Sequence, residues 1–284
     1  GRTIDAMSID PLTPDILDVG TSGDEVFKGM DGGANWRLAS IYLQGFPITT
    51  LEINPVTPDT LYAGILDDVF KSTDSGANWS PTHAIQENNE VYSIAIDPTQ
   101  PETIYAGTLY GVLKSTDGGD NWSTLNNGLI PVSPVRALAI DPATPETLYA
   151  GTWSGVFKSI DGGGSWSSAS NGLNLNATMI FSLVIDPANP ATLYVGTLTE
   201  GVFKSTDSGG SWTAANTGLL ADDIILRTLA IDPESPEILY AGSFYHGIFK
   251  STDGAASWSA ASTGLPDNSI YALAIDPANP AILY

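Results

Sequence analysis

Six times along its 284 residues the chain repeats one local pattern: a lysine, an aspartate three residues later, a glycine-rich turn, and a tryptophan five residues after the aspartate. The copies occupy residues 28–36, 71–79, 114–122, 158–166, 204–212 and 250–258. Self-similarity at a fixed period means that one supersecondary unit is stacked on copies of itself, so the repeat limits the fold before any single residue is read.

A second anchor, Ile-Asp-Pro or Ile-Asn-Pro, falls with its polar residue at Asp10, Asn54, Asp97, Asp141, Asp186, Asp232 and Asp276, at spacings of 44, 43, 44, 45, 46 and 44. Short apolar runs flank it, such as 135–140 before and 148–151 after, and both predict strands of four to six residues. The anchor itself is a turn, because proline lacks an N–H and steers the residue before it away from the α conformation. A third strand, 155–158 and its copies, leads into the repeated box. There the aspartate can accept backbone N–H bonds and the glycines tolerate positive φ, and the tryptophan opens a fourth strand.

Four antiparallel strands per period of about 45 residues match a β-propeller blade. The expected fold is all-β, a propeller of four-stranded antiparallel blades forming one domain over residues 1–284. Blades are expected at 3–46, 47–89, 90–133, 134–178, 179–224 and 225–268, with a partial blade at 269–284. Seven anchors against six boxes favour a seven-bladed ring whose last blade is truncated, disordered or completed by another segment, with a six-bladed ring and a displaced terminal hairpin as the alternative.

The unit Ser-x-Asp-x-Gly-x-x-Trp resembles the Asp-box, or BNR, repeat of sialidases, sortilin-type receptors, xyloglucanases and photosystem II assembly factors. The resemblance runs the whole length of the chain, with Gly29 in place of the first serine and Ala255 in place of the last glycine. It implies a propeller whose boxes are fold elements remote from any active site. Asp31, Asp74, Asp117, Asp161, Asp207 and Asp253 are accordingly expected as structural turn residues. Trp36, Trp79, Trp122, Trp166, Trp212 and Trp258 are expected as wedges between blades, and each box lysine as one half of an architectural ion pair.

A net charge of −22 repels phosphate backbones and anionic lipid surfaces, so nucleic acid is not an expected partner. No apolar run approaches the roughly 18 residues of a membrane span. The chain has no cysteine and two histidines, and no metal or cofactor is expected. The acidic composition and the Asn/Ser/Thr/Gly-rich turns suggest a secreted or cell-surface bacterial protein.

Function is expected where the copies disagree. The Asp-Pro turns and the boxes are one strand apart and share one end of each blade, so the other end receives the start of each inner strand and the loop between the second and third strands. Five residues before each anchor stand Asp5, Thr49, Tyr92, Arg136, Phe181, Arg227 and Tyr271, each followed by a small residue. The loops add Tyr110, Trp153, Glu200, Phe244, Tyr245 and His246. Aromatic faces beside a few charged groups suit a glycan or protein ligand, and loops on a rigid scaffold are where such groups collect.

A non-catalytic binding module is therefore the leading expectation. The first alternative is a fragment of a xyloglucanase-type glycoside hydrolase, in which Asp5 would be the catalytic candidate with Glu200 or Asp24 as partner. A structural repeat or spacer without ligand is the second. Sialidase chemistry is disfavoured, since Arg2 is terminal and Arg37 follows a box tryptophan, leaving only Arg136 and Arg227 at the variable end.

Overall fold

The computed structural model describes residues 3–23, 25–39, 43, 47–83, 89–174, 179–219, 225–265 and 269–284. Arg2 and Asp24 lie outside the described residues. Among the described residues the chain is all-β, with 24 strands forming six four-stranded antiparallel sheets, each built from four consecutive strands in sequence order. The sheets are the blades of a β-propeller. The chain divides into two compact units, 1–125 and 126–284, each holding three of the sheets. No described helix is long and apolar enough to cross a membrane.

The fourth sheet shows how the repeat becomes structure. Its strands are β13 (Val135–Ile140), β14 (Leu148–Thr152), β15 (Gly155–Ser159) and β16 (Ser167–Ser168). The β13–β14 turn closes because Asp141 Oδ1 accepts the N–H groups of Ala143 (2.9 Å) and Thr144 (3.1 Å), leaving nothing for proline to donate. Every residue of β14 is buried, as expected for a strand covered on both faces. In the box, Asp161 Oδ1 accepts the Ser159 hydroxyl and the Ser165 N–H, both at 2.8 Å, while Ser159 Oγ accepts the Gly163 N–H at 2.9 Å. These bonds to the ionised form hold the Asp161 carboxyl down at about 2, chiefly through the Ser165 side chain.

The sequence favours seven blades; the structure has six. Residues 269–284 contribute one isolated bridge, Ile275 to Leu283, and no third or fourth strand extends it. A two-stranded ribbon on its own gains too little from its ladder to persist as a sheet.

Two expectations about the box also need correction. Trp79, Trp166, Trp212 and Trp258 are 3–5% exposed, and Trp212 and Trp258 donate their indole N–H groups to Ala169 and Ala215 of the preceding blade at 2.7 and 2.8 Å. Trp122 is half-buried, and Trp36 is 40% exposed. A wedge needs a preceding blade to enter, and the first sheet has none before it within its unit.

The lysines are the second case. Lys28 is ion-paired with Asp18 at 2.7 Å, and both are buried. Lys71, Lys158, Lys204 and Lys250 lie instead 5.1–5.8 Å above the rings of Tyr62, Tyr149, Tyr194 and Tyr240. Lys158 and Tyr149 both donate to the Ser208 carbonyl of the next blade, at 3.1 and 3.2 Å. A backbone carbonyl can be supplied by every copy of the turn, so one tyrosine–lysine staple serves blade after blade without a dedicated acid. Asp18 takes the tyrosine's place in the first blade, and the staple becomes an ion pair there.

Candidate ligand-binding site

The variable inner-strand residues are set by a shared backbone device. In β1 (Ile4–Ile9), β9 (Val91–Ile96), β13, β17 (Ile180–Ile185) and β21 (Leu226–Ile231) the register against the second strand slips by one residue near the strand start. The residue left over is Asp5, Tyr92, Arg136, Phe181 and Arg227 respectively. A bulge frees one residue from the ladder and re-aims its side chain, so the five large side chains escape the alternation that buries their neighbours.

In four of these five strands the residue just before the bulge is a buried anchor, whereas Ile4 of β1 is exposed. Val91, Val135, Ile180 and Leu226 are fully buried. Ile180 seats against Gly151 of the preceding blade, where a Cβ would come within 2.5 Å of Ile180 Cγ2. Gly242 gives Ile270 the same close seat, with 2.6 Å to Cγ2. The glycine of each Tyr-Ala-Gly run thus makes room for the next blade's anchor, and the anchor fixes where the following large side chain leaves the sheet.

The loops between second and third strands are held as firmly. Thr152 Oγ1 donates to the Gly155 carbonyl at 2.9 Å and accepts the Ser154 N–H at 2.9 Å, bracketing Trp153. Thr197 does the same across Gly201 and Glu200. Ser243 Oγ accepts the His246 N–H at 2.7 Å, which positions Phe244 and Tyr245.

In the second unit these two sets meet in an alternating stack. The Arg136 guanidinium lies 5.8 Å from the Trp153 ring and 5.0 Å from Phe181. On the other side of Phe181 comes Arg227 at 5.7 Å, which then faces Phe244 at 4.9 Å and Tyr271 at 5.0 Å. Phe244 meets Tyr271 edge-on at 5.7 Å and Tyr245 edge-on at 4.6 Å. Cation–π contacts of this kind contribute about 0.5–2 kcal/mol each, more as water is excluded. Aromatic rings hold a guanidinium in place without using its N–H donors. The Arg227 Nε is buried with no hydrogen-bond partner, and Arg227 makes no ion pair among the described residues, in a chain carrying 32 carboxylates.

Of the residues expected at the site, Arg136, Trp153, Phe181, Arg227, Phe244, Tyr245 and Tyr271 are brought together, and His246 stands at the edge with its ring 6.5 Å from Tyr245. Trp153 and Tyr245 are 41% and 55% exposed, so the stack opens to solvent at both ends. Glu200 is used in bracing: its carboxylate accepts the Asn174 amide at 3.0 Å and its carbonyl the Asn216 amide at 2.8 Å. Tyr92, Tyr110 and Asp5 belong to the first unit, where Tyr110 is 47% exposed and its N–H reaches Asn89 Oδ1 at 3.2 Å. Thr49, in the place of a large side chain in the second blade, bonds the Gly64 and Val91 carbonyls.

Glu52 was not anticipated. It lies on the inner strand β5 (Thr50–Ile53), two residues before its anchor, where the other copies carry Ser8, Ala95, Ala139, Val184, Ala230 and Ala274. Burial pushes its carboxyl up to about 8. The break in an otherwise small-residue column is a signal the sequence does contain. No group of acidic, histidine or cysteine side chains among the described residues could hold a metal ion.

Residues 49–172 match the family model of the photosystem II assembly factor YCF48. Among curated proteins none matches the chain. The fold is similar to that of the GH74 xyloglucanase of Xanthomonas campestris, with a TM-score of 0.81 and 17% identity over 100% of this chain and 50% of that one. It is similar as well to YCF48 from Cyanidioschyzon merolae (TM-score 0.71, 14% identity, 96% of this chain and 89% of that one). YCF48 bound to D1 peptide gives a TM-score of 0.71 at 15% identity, covering 96% of this chain and 87% of that one. The chain spans about half the length of two GH74 enzymes and about a third of another. With the serine–aspartate turn, the buried tryptophan and the four-stranded sheet recurring blade by blade, the chain is a β-propeller built from BNR, or Asp-box, repeats.

Proposed function

We propose that the chain is a non-catalytic binding propeller whose ligand surface is the arginine–aromatic stack of its second unit, and that the ligand is a protein segment presenting a carboxylate. One observation carries this: Arg227 is clasped by three rings while its buried Nε lacks an acceptor. A charged donor kept unpaired is costly unless a ligand completes it, and charge-assisted bonds to such a donor contribute about 1.5–3 kcal/mol. The peptide-bound YCF48 propeller of similar fold supports a protein ligand. A secreted or cell-surface setting belongs to the same proposal.

A glycan is the second reading, favoured by the exposed faces of Trp153 and Tyr245 and by the fold shared with GH74 enzymes. Selection of random displayed peptides on the whole chain, run beside a glycan array, separates the two. Enrichment of peptides rich in Asp or Glu, lost on Trp153→Ala, is the expected result. Binding on the glycan array alone replaces the first reading with the second, and silence in both contradicts each.

A further inference from the structure

The linker 126–134, between the third and fourth sheets, is tied down at both ends and strained in its middle. Near its start, Gly128 runs so close to the Trp166 backbone that a Cβ would collide with it, and the Trp166 N–H donates to the Asn127 carbonyl at 2.8 Å. Near its end, Ser133 and Pro134 are buried, and the Ser133 hydroxyl donates to Ser154 Oγ at 3.0 Å. The turn between these ties, Pro131-Val132, holds Val132 at a φ of +58°. A turn residue with positive φ is normally glycine or asparagine, and a β-branched side chain suits that conformation worst. Val132 is the only β-branched residue with positive φ among the described residues.

This strained turn keeps apolar surface in solvent. Val132 is 69% exposed and Ile130 48%. Single exposed hydrophobes are ordinary on any protein, but these two have a third beside them. Ser154 follows Trp153, which is 41% exposed, so Val132 and Trp153 flank one hydrogen bond. Trp153 in turn meets the Arg136 guanidinium at 5.8 Å. A glycine at 132 would remove both the strain and the exposed isopropyl group, and an outlier kept against two costs points to a use.

We propose that Ile130, Val132 and Trp153 form an apolar subsite beside Arg136, which takes an aliphatic or aromatic side chain two residues from the carboxylate of a bound protein segment. This rests on the reading of the arginine–aromatic stack as a carboxylate site. Charge and spacing choose the occupant. In a chain of net charge −22 a cation beside an apolar shelf is the exception; it favours a short acidic segment, while the remaining charge repels an anionic lipid surface. Along an extended segment, side chains on one face recur every two residues, roughly 6.6 Å apart, close to the 5.8 Å between the Arg136 guanidinium and the Trp153 ring. One register thus brings a carboxylate to Arg136 and an apolar side chain to Trp153 and Val132.

The test uses the whole chain and an array of acetylated, amidated nonapeptides of serine and glycine with one central glutamate, so that this side chain is the sole carboxylate. A single leucine or phenylalanine is moved along the series from four residues before the glutamate to four after it. Peptides with the apolar residue two positions from the glutamate should bind at least about fivefold more strongly than the glutamate-only peptide, and more strongly than the other placements. Val132→Asn, which suits the positive φ and removes the apolar surface, should bring that ratio close to one without lowering the urea midpoint. Ile160→Thr, which removes a 72%-exposed isoleucine from a box, should leave the ratio as it is. Glutamate-dependent binding with no preferred apolar position, or a preference that survives Val132→Asn, overturns the subsite and leaves the carboxylate reading standing. A lowered midpoint in Val132→Asn would make Val132 a scaffold residue, and concentration-dependent dimerisation abolished by the same variant would assign the shelf to a second copy of the chain; either overturns the proposal. Absence of any glutamate-dependent binding overturns both readings.

Discussion

The Arg227 guanidinium stands 4.9 Å from the centre of the Phe244 ring, and the two residues come from different parts of one repeat. Arg227 leaves the inner strand at a bulge, whereas Phe244 follows the second strand. Phe181, one blade earlier, closes the other side at 5.7 Å. A cation placed this way has its faces shielded by rings, while its buried Nε is left without an acceptor.

Replacing Arg227 by methionine should therefore separate binding from folding. Only contacts to rings are lost, so the urea midpoint should correspond to a change within about 1 kcal/mol. Affinity for a selected acidic peptide should fall at least tenfold, read by calorimetric titration. A large stability loss with unchanged affinity would make Arg227 a scaffold residue.

Gly151→Ala should act in the opposite sense. The added methyl would stand 2.5 Å from Ile180 Cγ2 and 3.3 Å from the Ala137 Cβ, with no flexible side-chain end to give way. Overpacking of this kind costs about 1–3 kcal/mol. Ile180 anchors the Phe181 bulge, so the same variant should also weaken ligand binding, measured by the same titration.

Stability should peak on the acid side of neutrality. The Glu52 carboxyl, pushed up to about 8 by burial, favours the folded state fully below its ordinary value of 4.5 and loses that contribution as pH rises through about 8. The box aspartates Asp117, Asp161, Asp207 and Asp253, held at about 2, contribute above their ordinary value of 3.8 and lose it as pH falls through about 2. Urea midpoints from pH 2 to 9 should rise from pH 9 toward about 4.5 and drop below about 4. Glu52→Gln should remove the alkaline decline and leave the acid one; an unchanged alkaline limb would contradict the assignment.

Much of this was legible because the repeat carries it. The Asp141 turn, the Ser159–Asp161 box and the strand order follow from residue types at fixed spacing, and so does the column of Arg136, Phe181, Arg227 and Tyr271. What escaped depends on relations across strands. Tyr149 sits directly opposite Lys158 in the β14–β15 ladder, a pairing visible in the hairpin register but masked by the habit of matching lysine with acid. The bulges left a trace too, a buried hydrophobe followed by a large residue and a small one, as in Ile180-Phe181-Ser182, though only the pairing with Gly196 and Thr197 shows which residue is extra. The exposure of Trp36 and the count of six blades depend on what stands beside a repeat, which its own sequence does not encode.

The division between scaffold and site rests on two tryptophans. Trp166 is 5% exposed in its box, and Trp153 is 41% exposed beside Arg136. The most direct measurement is the urea unfolding of Trp166→Ala and Trp153→Ala side by side. The expected outcome is a loss of about 3–5 kcal/mol for Trp166→Ala and under about 1 kcal/mol for Trp153→Ala. Losses of equal size would show that Trp153 holds the fold, and would contradict the placement of the ligand surface on the arginine–aromatic stack.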